Sequence, residues 1–86
     1  MITSVHIRLG RAALGMKQTE LADITGISSR TIQALEYSEE AVESANLNTL
    51  KKIKKAFEEK GIRFLFSKEE NSLEGVGIRY YPSANK

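Results

Sequence analysis

Four polar side chains near the middle of the chain have the types and spacing for recognition through hydrogen bonds: Ser28, Ser29, Arg30 and Gln33. A guanidinium presents several N–H donors in a flat fork, and a carboxamide presents both donors and an acceptor. Residues three positions apart share one face of a helix, so Arg30 and Gln33 point the same way if this segment is helical. Outside a motif, the same residues would form an ordinary solvated helix face. The surrounding elements therefore decide which interpretation applies.

Side chains for metal or covalent chemistry are sparse. The 86 residues contain one histidine, His6, and no cysteine, so neither a thiolate zinc site nor a disulfide framework can form. Catalysis would require His6 to meet a carboxylate and a nucleophile in a cleft that so short a chain can scarcely build. We expect His6 to be a partly exposed helix residue. Gly75 and Gly77 lack the third glycine of a dinucleotide loop. The chain is therefore expected to be no enzyme, with no metal and no cofactor.

Length and charge limit the remaining classes. Thirteen Lys+Arg against 11 Asp+Glu give a formal net charge of +2, which permits a polyanionic partner without requiring one. A chain of this size buries only roughly 60–65% of its unfolded surface, so pairing of two chains would add stability. No apolar run approaches the length of about 20 residues that a membrane helix needs, and no export signal is evident. We expect a cytoplasmic protein without a membrane partner.

Hydrophobic periodicity predicts a mainly α fold, a bundle of four to five helices followed by a small β-hairpin. The first helix is capped by Thr3 or Ser4 and stops at Gly15, with an inward face of Val5, Leu9, Ala12, Ala13 and Met16. Further helices are predicted over residues 18–25, over residues 28–37 after a Ser28 cap, and over residues 47–60 after an Asn46 cap. The inward face of the last one is Leu47, Leu50, Ile53, Ala56 and Phe57. The acidic stretch 37–45 could contain one helical turn but has no convincing period, so it is read as a loop.

The C-terminal part predicts two strands, residues 62–66 and 76–81, because these segments alternate at period two and are rich in β-branched and aromatic residues. Residues 67–75 form the polar loop between them, and a frayed tail begins at Pro82. We expect residues 1–61 to be the helical domain. Residues 62–86 would complete the same compact unit and offer a surface for dimerisation.

The segment 18–35 has the spacing of two helices that cross steeply through a turn of three or four residues. Ala22 is small where the helix backbones meet, and Gly26 accepts the positive φ that the turn needs. Four apolar residues close the wedge: Leu21, Ile27, Ile32 and Leu35. This arrangement is a helix-turn-helix.

Residues 2–38 resemble the Cro and phage-repressor type of helix-turn-helix transcriptional regulator, the XRE family. The matching positions are Ile7, Arg8, Arg11, Leu14, Gly15, Gln18, Leu21, Ala22, Gly26, Ile27, Ser28, Thr31, Ile32, Leu35 and Glu36. The ending, with Gly61, Ile62 and Phe64 followed by the Gly-Val-Gly-Ile-Arg run of residues 75–79, resembles a subgroup of small regulators.

The resemblance implies a sequence-specific, repressor-like regulator of double-stranded DNA whose third helix, residues 28–37, enters the major groove. The residues implied to contact bases are Ser28, Ser29, Arg30 and Gln33. Those implied to contact the DNA backbone are Lys17, Gln18, Thr19, Thr31, Tyr37 and Asn46. Structural roles fall to Ala22 and Gly26 in the wedge, and to Arg11 and Glu36, which form a partly buried salt bridge in the family.

Departures from the family pattern leave alternatives open. Ser38 stands where the family usually has glycine, and Glu39, Glu40 and Glu43 stand where basic phosphate contacts are common, which predicts weak binding by one copy. Weak binding favours a homodimer, with candidate contacts at Phe64, Phe66, Ile78 and Tyr80; the hairpin would equally fold back on the chain's own last helix. The lysines at positions 51, 52, 54 and 55 are interpreted as a solvated face of the last helix and not as a DNA-binding surface. The other functional class is an antitoxin or protein-interaction adaptor that binds a protein partner, a toxin or part of the transcription machinery, through the hairpin or the acidic loop.

Overall fold

Five helices and then two strands make up the computed structural model, which describes residues 1–67 and 74–82. The helices are α1 Ser4–Leu14, α2 Gln18–Thr25, α3 Ser29–Tyr37, α4 Glu39–Ser44 and α5 Leu47–Glu59, and the strands are β1 Ile62–Leu65 and β2 Gly77–Tyr80. The predicted mainly α fold with a C-terminal hairpin is confirmed. The predicted loop residues 68–73 and tail residues 83–86 lie outside the described residues.

The predicted caps begin the helices. Thr3 accepts a hydrogen bond from the backbone N–H of His6 at the start of α1, and Ser28 accepts one from Thr31 at the start of α3. Asn46 accepts one from Asn48 at the start of α5. Each side chain satisfies an N–H group that the first helical turn leaves without a partner, which is why these residues set the helix boundaries.

The acidic stretch predicted as a loop contains the short helix α4, so that prediction is wrong. The Ser38 hydroxyl accepts a hydrogen bond from Ala41 N–H, and Val42 is buried in the core. Ser38 has extended backbone, with φ −143°. It ends α3 and begins α4 at the same residue, where a glycine would offer no hydroxyl. The departure from the family pattern therefore has a structural purpose.

The buried face of α1 differs from the predicted one. Ile7 and Gly10 are buried, whereas Leu9 and Ala12 are exposed. A Cβ added to Gly10 would lie 2.9 Å from Cε1 of Phe57, so α1 crosses α5 at a point where any larger residue would displace the Phe57 ring. The apolar pattern gave Gly10 no weight, and the inward face was consequently misassigned. Met16 is buried as predicted.

Two further predictions of burial are wrong. His6 is fully buried rather than partly exposed, because its ring lies beneath the hairpin and both ring nitrogens have backbone partners. Leu47 is 52% exposed, because it is the first residue of α5, ahead of the turns that pack on the bundle.

The hairpin is antiparallel, with Ile62 opposite Tyr80 and Phe64 opposite Ile78. Strand β1 packs on α5 and β2 packs on α1. The Phe57 and Phe64 rings meet edge to face with centroids 6.1 Å apart. The hairpin therefore folds back on the chain's own helices, and dimerisation through it, which is compatible with this packing, stays a prediction.

The core joins residues from every helix and from β1: Ile2, Ile7, Met16, Leu21, Ile32, Leu35, Val42, Leu50, Ile53, Phe57 and Ile62. Within residues 1–67 and 74–82, no helix is both long enough and apolar enough to cross a membrane.

Candidate nucleic-acid interface

Helices α2 and α3 form the predicted wedge. Leu21 and Ile32 are fully buried between them, and Ala22 packs against the same core. Gly26 has φ 73° and donates its N–H to the Ala22 carbonyl at 2.9 Å, which ends α2. The Thr25 hydroxyl donates to the Leu21 carbonyl at 2.7 Å. These contacts fix the turn and hence the direction in which α3 leaves it.

One side of α3 faces solvent along its whole length. Ile32, Leu35 and Glu36 are buried on the other side, and the exposed residues are Ser29, Arg30, Thr31, Gln33, Ala34 and Tyr37. The Arg30 and Gln33 side chains make no hydrogen bond or ion pair with any residue in the described ranges. Their donors and acceptors are free to bind a partner outside the chain.

Ser28 and Thr31 have partners already. Ser28 Oγ accepts from the Thr31 N–H at 3.2 Å and donates to Thr31 Oγ1 at 3.0 Å. Both residues remain exposed, as their predicted DNA contacts require. Their hydroxyls, however, also hold the first turn of α3, so a DNA contact by Ser28 would compete with its role as a cap.

Ala34 belongs to this exposed face, and the sequence analysis missed it. It lies one turn beyond Arg30, next to Gln33, and its methyl group is exposed. The signal was available in the sequence, because positions i and i+4 share a helix face. Ala34 was overlooked because its side chain has no hydrogen-bonding group.

A buried carboxylate supports α3 from behind. Glu36, 1% exposed, receives two hydrogen bonds from Arg11, from Nε at 2.6 Å and from Nη2 at 2.7 Å, and a third from Gln18 Nε2 at 3.2 Å. Hydrogen bonding to this carboxylate raises the pKa of Arg11 above its ordinary value. Arg8 Nη1 donates to the Glu36 carbonyl at 2.7 Å. The salt bridge that the resemblance implied is therefore present, and α1 and α2 both hold the end of α3.

The start of α2 lies beside this network. Lys17 and Thr19 are exposed, whereas Gln18 is half-buried because its amide reaches Glu36. An open groove runs between α2 and the start of α3, lined by Thr19, Ala22, Asp23, Gly26, Ile27, Ser28 and Ser29. Lys17 and Arg30 supply positive charge to this part of the surface, and Glu20 and Asp23 supply negative charge. Its attraction for a polyanion is therefore modest.

One residue of the acidic stretch after α3 has a structural role. One Glu39 carboxylate oxygen accepts hydrogen bonds from the backbone N–H of Ser4, at 2.6 Å, and from the Ser4 hydroxyl. Glu39 therefore closes the first turn of α1, while Glu40 and Glu43 are exposed. Tyr37, 71% exposed, and Asn46 flank this stretch. No group of three or more His, Cys, Asp or Glu within residues 1–67 and 74–82 is placed to hold a metal ion.

A short helix packed against a second one through a glycine turn, with an exposed polar outer face, defines a DNA-binding helix-turn-helix protein. Residues 7–64, more than half of the chain, match the family model described as helix-turn-helix. The chain belongs to this family, the XRE type that includes Cro-like and repressor-like regulators. No protein among the curated ones searched matches the chain.

Proposed function

We propose that this regulator represses transcription in the cytoplasm by occupying a specific double-stranded DNA operator, with α3 in the major groove. One observation carries the proposal: Arg30 and Gln33 are exposed and without partners among the described residues, on a helix whose opposite side is held by a buried ion pair. Because the helix backbone is already ordered, binding has to order only the exposed side chains.

The roles of the base-contacting residues follow from their chemistry. The Arg30 guanidinium matches O6 and N7 of guanine, and the Gln33 carboxamide matches N6 and N7 of adenine. Ser29 adds a hydroxyl that accepts or donates. The Ala34 methyl group suits the methyl group of thymine. Ser28 is the weakest of these contacts because its hydroxyl caps α3.

Backbone contacts position α3 in the groove. The N-terminus of α2 attracts phosphate, and Lys17, Gln18 and Thr19 surround it. Thr31 and Tyr37 would contact phosphates along the sides of α3. Asn46 uses Oδ1 to cap α5, so its amide N–H groups remain to donate to a phosphate.

Dimerisation would strengthen such modest contacts. Two copies of α3 set about 34 Å apart read two half-sites one turn of DNA apart. We propose that the hairpin joins the copies through the more exposed of its candidate residues, Phe66, 43% exposed, and Tyr80, 38% exposed. Phe64 and Ile78 pack against the chain's own core, which assigns them first to folding.

The test is a comparison of two substitutions at one residue on a site selected from a random DNA pool. Arg30→Ala removes charge and fork, and we expect affinity for the selected site to fall about 5- to 150-fold, the equivalent of about 1–3 kcal/mol. Arg30→Lys keeps the charge but loses the fork, so base preference at one position should relax while affinity for random DNA is retained. Arg30 is exposed and makes no hydrogen bond or ion pair within the described ranges, so both variants should match the unfolding midpoint of the parent protein.

A salt titration separates this proposal from the protein-interaction adaptor or antitoxin. Binding to random duplex DNA should show a slope of log affinity against log salt near −0.9 for each phosphate neutralised. A slope near zero would remove the DNA proposal and leave the hairpin, or the exposed Glu40 and Glu43, as the surface for a protein partner. The selected site also gives the half-site spacing that a dimer predicts.

A further inference from the structure

The chain's one histidine is buried beneath the hairpin. His6 lies in the first turn of α1 with no solvent exposure. Its ring meets Phe64 edge to face at 5.2 Å and lies 5.0 Å from the Phe66 ring, measured between centroids. The imidazole therefore forms part of the contact between α1 and the end of β1.

The partners of the ring nitrogens fix the protonation state. Thr3 N–H donates to Nδ1 at 2.9 Å, so Nδ1 must carry a lone pair. Nε2 lies 2.7 Å from the carbonyl oxygen of Leu65, which only accepts, so Nε2 must carry the proton and donate it. The site accepts one neutral tautomer. That tautomer joins the start of α1 to a residue 59 positions away in the chain.

A second proton on His6 breaks this arrangement. It would place an N–H on Nδ1 opposite the N–H of Thr3, which then loses its acceptor, and the new N–H could bond only to the Thr3 hydroxyl, 3.2 Å away and already accepting from the His6 N–H. The loss falls on the turn that begins α1, because Thr3 N–H to Nδ1 and His6 N–H to Thr3 Oγ1 are the two bonds of its capping box.

The charged groups around the ring come from three elements. The N-terminal amine opposes a second positive charge, and Glu39 at the start of α4 favours one. Lys54 of α5 lies 5.7 Å above the Phe66 ring, on the hairpin that the imidazole holds. One carboxylate oxygen of Glu39 is bonded to Ser4.

We propose that His6 is a proton-sensitive latch: the neutral imidazole fits its buried site beneath the hairpin, whereas a second proton would bury a positive charge there and favour opening of the hairpin, although Nε2 could still donate to Leu65. Release would uncover the inner face of the hairpin, Phe64 and Ile78. The latch goes beyond DNA recognition and does not depend on it. If the hairpin also pairs two copies, that pairing becomes sensitive to acid.

The direction of the pH effect follows from the buried state. Burial is the main cause that lowers the pKa of His6 below 6.5. The released form therefore binds the proton more readily than the closed form. The latch is at full strength above pH 6.5, weakens as the pH falls from 6.5 towards the lowered pKa of the closed form, and is lost as the pH falls through that value.

The first measurement needs no variant. Because the chain has one histidine, the single imidazole signal in a proton NMR titration of the intact protein reports its pKa directly. In the same samples, hydrogen-exchange protection is measured for β2 amides and for the buried centre of α3. We expect a pKa below 6.5, and protection of β2 that falls about tenfold per pH unit between 6.5 and that pKa while α3 stays protected.

The variant His6→Gln provides the matched control. Its carboxamide can still donate to Leu65 but does not titrate in this range, so the pH dependence of β2 protection should disappear. An unshifted or raised pKa of His6, an equal loss of protection in β2 and α3, or the same pH dependence in His6→Gln would each overturn the latch. The first two outcomes need only the parent protein, so a poorly folded variant cannot rescue the proposal.

Discussion

Two buried polar residues of opposite kinds lie near the two ends of α1. Glu36, behind α3, is a buried carboxylate whose partners include the guanidinium of Arg11. His6, behind the hairpin, is a buried neutral ring whose hydrogen bonds go to the backbone of Thr3 and Leu65. Every buried side-chain nitrogen and oxygen in the described ranges has a hydrogen-bond partner. The difference between the two sites is therefore charge, not completeness.

Because of this difference, the Arg11–Glu36 ion pair and the hydrogen bonds of His6 respond differently to pH. A guanidinium stays protonated at any pH a cell experiences, so the Arg11–Glu36 pair holds α3 in one position. An imidazole changes charge close to neutral pH, so the contact at His6 can switch to a protonated state. The Arg11–Glu36 ion pair holds the surface proposed to read DNA, whereas His6 holds the hairpin.

The largest expected loss of stability comes from breaking the Arg11–Glu36 ion pair. Glu36→Ala leaves Arg11 and Gln18 without their shared acceptor, and we expect the free energy of unfolding to fall by about 3–5 kcal/mol. Urea unfolding at neutral pH measures it. Glu43→Ala removes an exposed carboxylate from α4 and should change stability by less than about 0.5 kcal/mol. Similar losses in the two variants would show that the buried pair contributes no more than a surface charge.

A smaller effect is expected at the start of α1. Glu39→Ala leaves the N–H and the hydroxyl of Ser4 without an acceptor, which should cost about 1–3 kcal/mol. Glu40→Ala, the next residue in the same helical turn, removes equal charge from an exposed position. If Glu40→Ala destabilises the protein as much in urea unfolding, the loss belongs to the charge of α4 and not to the bond with α1.

The smallest effect tests the junction between α3 and α4. Ser38→Ala removes the hydroxyl that caps α4 and should lower the free energy of unfolding by about 1 kcal/mol. Ser38→Gly, which restores the residue usual in the family, should lower the free energy of unfolding by only a few tenths of a kcal/mol. An order reversed between the two variants would mean that the hydroxyl does not stabilise α4.

Local signals in the sequence predicted the part of the fold that carries the proposed site. Thr3, Ser28 and Asn46 mark helix starts through bonds that span two or three residues, and Gly26 marks the turn through its own backbone. Such features depend on neighbours in the chain, so they can be read without coordinates.

Long-range partners explain what the sequence analysis missed. The bond from Ser4 to Glu39 spans 35 residues and the one from His6 to Leu65 spans 59. Neither follows from periodicity, so Glu39 was interpreted only as a cause of weak DNA binding and His6 as partly exposed. The face of α1 was misassigned for the same reason, because the need for Gly10 arises only where Phe57 crosses it.

The contact between Gly10 and the Phe57 ring also constrains how this sequence can change over evolutionary time. A lineage that acquires alanine at position 10 must first accept a smaller side chain at position 57, or else tolerate an overpacked intermediate at a cost of about 1–3 kcal/mol. Substitutions at these two positions should therefore be correlated among descendants, although 47 residues separate them.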